Sequence, residues 1–120
     1  MPDYHLAETE TKFAELIWEN EPLSSPALVK LAADALDWKK STTYTVLRRL
    51  CERGLFQNEN GTVTSLVSRA EYDAVCSERF VEESFGGSLP RFLAAFTGRR
   101  KLHADEAEAL RRMIEEFEED

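Results

Sequence analysis

Trp38-Lys39-Lys40-Ser41-Thr42-Thr43-Tyr44-Thr45-Val46-Leu47-Arg48-Arg49-Leu50-Cys51-Glu52-Arg53-Gly54 is the stretch whose reading decides the fold. It holds five basic side chains and one acidic one, in a 120-residue chain with a formal net charge of -8. Wound as a helix at about 100° per residue, it gathers Thr43, Val46, Leu47 and Leu50 on one face. Ser41, Thr42, Thr45, Arg48, Arg49 and Glu52 fall on the other. Gly54 supplies the usual C-terminal stop, because glycine adopts the left-handed conformation without a Cβ clash.

Working outward, the residues before this helix predict two more. Thr9–Glu19 reads as a first helix, capped by Thr9 or Thr11, with Phe13, Leu16 and Ile17 on one face. Ser25 at the cap and Pro26 at the first helical position predict a second, running to about Leu36 and burying Leu28, Leu31, Ala32 and Ala35. Asp37 to Lys40 makes the turn. After Gly54 come two strand-like runs, Leu55–Asn58 and Thr62–Val67, joined by Glu59-Asn60-Gly61, whose Asn and Gly tolerate positive φ. Helix, helix and hairpin in this order predict a winged helix-turn-helix, with the basic segment as the helix that enters the DNA major groove.

Beyond the hairpin the chain reads as helices only. Ser68 and Glu71 form a capping box, opening a long helix with Tyr72, Val75, Cys76 and Phe80 on its apolar face, broken at Gly86-Gly87. A shorter helix opens at Ser88-Leu89-Pro90 and is expected to stop at Thr97-Gly98. A last one spans about Ala104–Glu118, with Ala107, Leu110, Ile114 and Phe117 on one stripe. The fold class is thus mainly α: residues 1–67 as a winged-helix DNA-binding domain, residues 68–120 as a helical dimerisation domain. Some fifty residues are few for a self-sufficient core, and apolar stripes of this kind usually meet a partner. A symmetric homodimer is the simplest solution, with Tyr72, Val75, Phe80, Phe92, Phe96, Leu110, Ile114 and Phe117 as its expected residues.

The acidic total argues against nucleic acid only if the charge is uniform. It is not. Residues 1–67 carry 7 Lys/Arg and 10 Asp/Glu, residues 68–100 carry 5 of each, and residues 101–120 carry 3 and 8. The basic helix is a local patch, and the local patch is what meets a phosphate. Lys39 and Lys40 sit at the helix start, where ammonium groups and open backbone N–H groups both suit phosphate. Ser41, Thr42 and Thr45 are small enough to let the helix seat deeply. Arg48 and Arg49 extend the cationic face, and an arginine can fork onto guanine O6 and N7. At the wing tip Asn60 and Thr62 complete the expected DNA-binding set with minor contacts, since the tip has no Lys or Arg.

Other chemistries find little support. Cys51 and Cys76 have no metal or redox spacing and read as reduced core thiols. His5 and His103 stand far apart. Trp18 and Trp38 read as packing residues. No nucleophile–base pair, phosphate loop or metal cluster stands out, so neither catalysis, nor a cofactor, nor a metal is expected. No apolar run approaches the roughly 20 residues that cross a bilayer. Met1–His5 lacks the pattern of a signal peptide, so a cytoplasmic protein is expected.

The whole pattern resembles the penicillinase-repressor family (BlaI/MecI/CopY-type regulators). The resemblance rests on Leu16-Ile17-Trp18-Glu19, the spacing of Trp38, Thr42, Thr45, Arg49, Leu50 and Gly54, the Leu55–Val67 hairpin, and Phe85-Gly86-Gly87-Ser88-Leu89 after the long helix. It implies a homodimeric transcriptional repressor on a palindromic operator, with Ser41, Thr42, Thr45 and Arg49 at the DNA. Ser41 stands where the best-known members commonly carry Lys, which implies one contact fewer. It further implies control of antibiotic (β-lactam) resistance or a related stress response. Induction in the β-lactam branch follows from proteolysis triggered by a membrane sensor metallopeptidase. The corresponding cleavage site is Ala95–Phe96, with Ala95 where that branch has Asn. The Cys-x-Cys pairs of the copper-responsive branch are absent. Two other readings compete: a winged-helix protein-interaction adaptor that binds no DNA, and a ligand-sensing regulator.

Overall fold

The computed structural model describes residues 4–118; of the N-terminal stretch Met1–His5 and the acidic C-terminus, Met1–Asp3 and Glu119–Asp120 lie outside it. Six helices and a small sheet follow one another as α1 (Glu8–Asn20), β1 (Leu23–Ser24), α2 (Ser25–Leu36), α3 (Lys40–Glu52), β2 (Phe56–Glu59), β3 (Thr62–Ser65), α4 (Arg69–Phe85), α5 (Leu89–Arg99) and α6 (Ala104–Phe117). The chain divides into two compact units, one ending at Arg79 and one starting at Phe80. The expected boundary at Val67/Ser68 coincides with the entry to α4, whose first three turns fall in the first unit.

In that unit α3 packs as its periodicity requires. Thr43, Val46, Leu47 and Leu50 are buried, and the three apolar ones join Phe13, Ala14 and Ile17 of α1 and Leu28 and Ala32 of α2 in one core. Gly54 ends α3 at φ 81°. The Leu55 N–H donates to the Leu50 carbonyl at 3.1 Å and the Gly54 N–H to Cys51 at 3.0 Å, the paired closure that spends the last carbonyls of a helix. Asp37, left-handed at φ 57°, ends α2.

The wing is a three-stranded antiparallel sheet in the order β1-β3-β2. Asn60 (φ 53°) and Gly61 (φ 83°) form the β2–β3 turn, both in the region that a two-residue hairpin demands. The third strand, β1, is an addition to the predicted hairpin: Leu23 pairs with Val63 and Ser24 with Thr62.

That strand also moves a helix start. The chain stays extended through Ser24, so Ser24, not Ser25, caps α2 and accepts the Ala27 N–H at 3.2 Å. Pro26 then sits second in the helix. Ser25 is instead buried, its N–H donating to the Gly61 carbonyl at 2.8 Å. Ala35, expected in the core, is exposed. Neither threonine caps α1. The helix begins at Glu8, and Glu10 Oε1 accepts the Ala7 N–H at 3.0 Å.

Trp18 and Trp38 are packing residues. Trp38 lies 5.1 Å from Phe13 between ring centroids, joining the α2–α3 turn to α1. Trp18 stacks on Phe56 at 5.5 Å and Tyr72 at 5.2 Å, and its indole N–H donates to the Val67 carbonyl at 2.9 Å. Tyr72 is therefore a core residue of the first unit, 8% exposed, rather than part of an outward dimer face. Burial pushes its phenol pKa above the ordinary value. Phe56, fully buried under Trp18, sets a stability test. Phe56→Ala is expected to cost about 3–5 kcal/mol and to lower the melting temperature of this unit by more than about 10 °C, read by circular dichroism.

The second unit is built around edge-to-face phenylalanines. Phe85 and Phe92 lie 5.5 Å apart at 77°, and Phe80 and Phe92 6.1 Å apart at 90°. Gly86 and Gly87, both at positive φ, turn the chain from α4 into α5, where Ser88 accepts the Arg91 N–H at 3.2 Å. Helix α5 does not stop at Thr97-Gly98 but runs to Arg99; the Thr97 hydroxyl bonds back to the Leu93 carbonyl at 2.7 Å, so this residue stays within the helix. Among the described residues no helix is long and apolar enough to cross a membrane.

Candidate nucleic-acid interface

All nine residues expected at DNA are exposed: Lys39, Lys40, Ser41, Thr42, Thr45, Arg48, Arg49, Asn60 and Thr62. Seven belong to α3 or its cap. Lys39 is the extended cap residue and Lys40 the first helical residue, so both cations stand where four backbone N–H groups lack intrahelical partners. The next exposed positions are small. The Thr45 hydroxyl donates to the Ser41 carbonyl at 2.9 Å, which leaves its oxygen lone pairs to accept.

The two arginines leave this face on opposite sides. Arg48 lies toward the wing, where Tyr44, Leu47, Arg48, Cys51 and Asn58 of β2 line a cleft of about 240 Å³. Tyr44 is itself placed by its hydroxyl, 3.3 Å from Ser25 Oγ at the start of α2. Burial, followed by the charge of neighbouring Glu52, pushes the Cys51 thiol above its ordinary pKa. It is a neutral lining group and not a reactive thiolate. Arg49 lies on the other side, toward α1, where its Nη1 is 3.6 Å from Glu10 Oε2.

Sequence reasoning missed Tyr44, Asn58 and Glu10. Tyr44 precedes Arg48 by four residues and so shares its flank, a signal the wheel contains. The approach of Glu10 to Arg49 spans thirty-nine positions and has no local signature. The wing tip lies as expected: Asn60 occupies the turn and Thr62 pairs with Ser24 and Glu59 across the sheet.

In the second unit, the expected dimer residues show a separate surface. Neither α5 nor α6 has a buried residue. Leu89, Pro90, Leu93, Leu110, Met113, Ile114 and Phe117 line an open apolar groove of about 480 Å³. Ile114 is 63% and Phe117 73% exposed. Phe80 and Phe96 are exposed too, while Phe92 and Leu110 are half-buried; Val75, also half-buried, belongs to the first unit. Ala95 and Phe96, the candidate cleavage site, lie exposed within α5.

Among the described residues no group of three or more His, Cys, Asp or Glu side chains is placed to hold a metal ion. The family model of the penicillinase repressor matches residues 6–116, from the entry to α1 to the end of α6. None of the curated proteins matches the chain. A match of this extent takes in the helix-turn-helix, the wing and the C-terminal helices alike: the chain belongs to the penicillinase-repressor family, a family of transcriptional repressors and not of enzymes.

Proposed function

We propose that the protein represses transcription by binding a palindromic operator as a homodimer, with α3 of each copy in the major groove of one half-site. The observation that carries this reading is the composition of the exposed face of α3. Two lysines, three hydroxyl residues and two flanking arginines, against the single carboxylate of Glu52, are exposed along α3 and its cap, in a chain whose total charge would repel a phosphate backbone. Small side chains at the centre and cations at the ends and flanks meet the two needs of groove entry, close approach and phosphate neutralisation.

The dimer is supported by the second unit. A helix pair without one buried residue, carrying an apolar groove, is only half of a core. One copy makes few phosphate contacts, whereas two joined copies bind with the second half-site at high effective concentration. Whatever parts the copies releases the DNA. Cleavage at Ala95–Phe96 by a membrane sensor metallopeptidase would cut the helix that lines the groove. Such release would serve β-lactam resistance or a related stress response.

Selection from a randomised duplex library with the full-length protein, followed by anisotropy titration across a salt series, tests the reading. The expected result is enrichment of a palindrome whose affinity falls linearly in log–log form with salt. Failure to enrich any duplex, with no binding at low salt, overturns it.

A further inference from the structure

Glu10 joins two elements that the sequence keeps apart. Its side chain is only 16% exposed, although a glutamate in the first turn of a helix ordinarily stands in water. One carboxylate oxygen, Oε1, accepts the Ala7 N–H at 3.0 Å and closes the start of α1. The other, Oε2, faces Nη1 of Arg49 at 3.6 Å. The capping role occupies one oxygen; the second is committed to the DNA-facing helix. Arg49 itself is 57% exposed. A guanidinium carries five N–H donors in a rigid plane, so an ion pair at Nη1 leaves the other donors to point outward.

We infer that Glu10 is a positioning residue for sequence discrimination, its ion pair with Arg49 Nη1 drawing the guanidinium toward α1 and biasing the orientation in which the remaining N–H donors meet the groove. The inference rests on the proposed DNA binding. An ungripped arginine on this flank is a long cation with many rotamers and several phosphates within reach. It adds affinity for every duplex alike. A gripped one has already lost that freedom and donates where the helix points it. Glu10 thus lowers general affinity, because it is an anion near phosphates, while it raises the preference for one site over another.

The test compares wild type and Glu10→Gln on two probes: the palindromic duplex that wild type selects from a randomised library, and a scrambled duplex of the same composition. The glutamine keeps an oxygen for the Ala7 N–H and removes the charge that holds Arg49. On the scrambled duplex, Glu10→Gln is expected to bind more tightly and with a salt slope steeper by about two units, one for the arginine freed in each copy of the proposed dimer. The ratio of the two affinities is expected to fall roughly tenfold. In an Arg49→Ala background the same substitution should leave the ratio unchanged, because the effect passes through Arg49.

An equal gain on both duplexes reduces Glu10 to a mere repelling charge and overturns the inference. So does a loss of discrimination that persists without Arg49. If Glu10→Gln does not fold, Arg49→Lys takes its place, since an ammonium pairs with Glu10 but has no planar set of further donors; an unchanged ratio there also overturns it. A wild-type protein that prefers no duplex over its scramble overturns the proposed function instead, which keeps the two failures distinct.

Discussion

Replacing Leu110 and Ile114 together by Asp is expected to convert the proposed dimer to monomer and to lower operator affinity by roughly a hundred- to ten-thousandfold. Both residues line the apolar groove of the second unit, and Ile114 is 63% exposed in the single chain. In a dimer an exposed apolar side chain of this size gains roughly 1.5–3 kcal/mol on full burial, and Leu110, already half-buried, gains part of that. An aspartate in its place forfeits that gain and must be stripped of water without a partner. Two such changes per copy, four per dimer, exceed what an interface of two short helices can absorb. Neither residue belongs to the core of the first unit, so its melting should persist while light scattering reports a monomer. If the variant stays dimeric, the interface lies elsewhere; if a monomer binds the operator unchanged, dimerisation and DNA affinity are not coupled.

The parts of this fold that sequence made legible are those in which one local rule suffices. The buried face of α3 was readable because Thr43, Val46, Leu47 and Leu50 repeat at helical spacing and the intervening polar residues do not. Its end was readable because a glycine stands where a left-handed residue must follow. The hairpin turn was readable from Asn60-Gly61 for the same reason. What escaped depends on distant partners. Strand β1 is two residues long and exists because β3 has an open edge beside Leu23 and Ser24; no alternation can register in so short a segment. Its presence shifted the cap of α2 by one residue.

Tyr72 fits the apolar stripe of α4 as well as any residue further along, yet Trp18 claims it for the first unit. A stripe shows that a residue is buried, not by which neighbour. The candidate interface divides in the same way. Which side chains stand outward on α3 follows from its period. That Arg48 shares a cleft with Asn58, and that Arg49 meets Glu10, follows only from the packing of α3 against β2 and α1.

Thr45→Glu is expected to abolish operator binding while leaving the fold intact. Thr45 sits within the exposed face of α3, between Ser41 and Arg49 on the helix surface, with its hydroxyl returned to the Ser41 carbonyl at 2.9 Å. Removing that hydroxyl bond costs the helix little, and glutamate is the better helix former of the two, so melting should be unchanged or slightly raised. The binding side differs in sign and size. A carboxylate facing the groove meets two phosphate backbones and the acceptor edges of the bases, and a like charge so placed costs several kcal/mol.

Since each copy of the proposed dimer carries the change, even about 2 kcal/mol per half-site sums to about 4 kcal/mol, nearly a thousandfold in affinity. Thr45→Ala supplies the contrast: it removes the hydroxyl without adding charge, and with one hydrogen bond of about 0.5–1.5 kcal/mol lost per copy it should weaken binding by roughly 5- to 150-fold, less than Thr45→Glu does. Anisotropy titration of the three proteins on the selected palindrome, beside their thermal melts, reads both quantities. Should Thr45→Glu bind within threefold of wild type, α3 does not enter the groove, and the cationic face would have to serve a partner other than DNA.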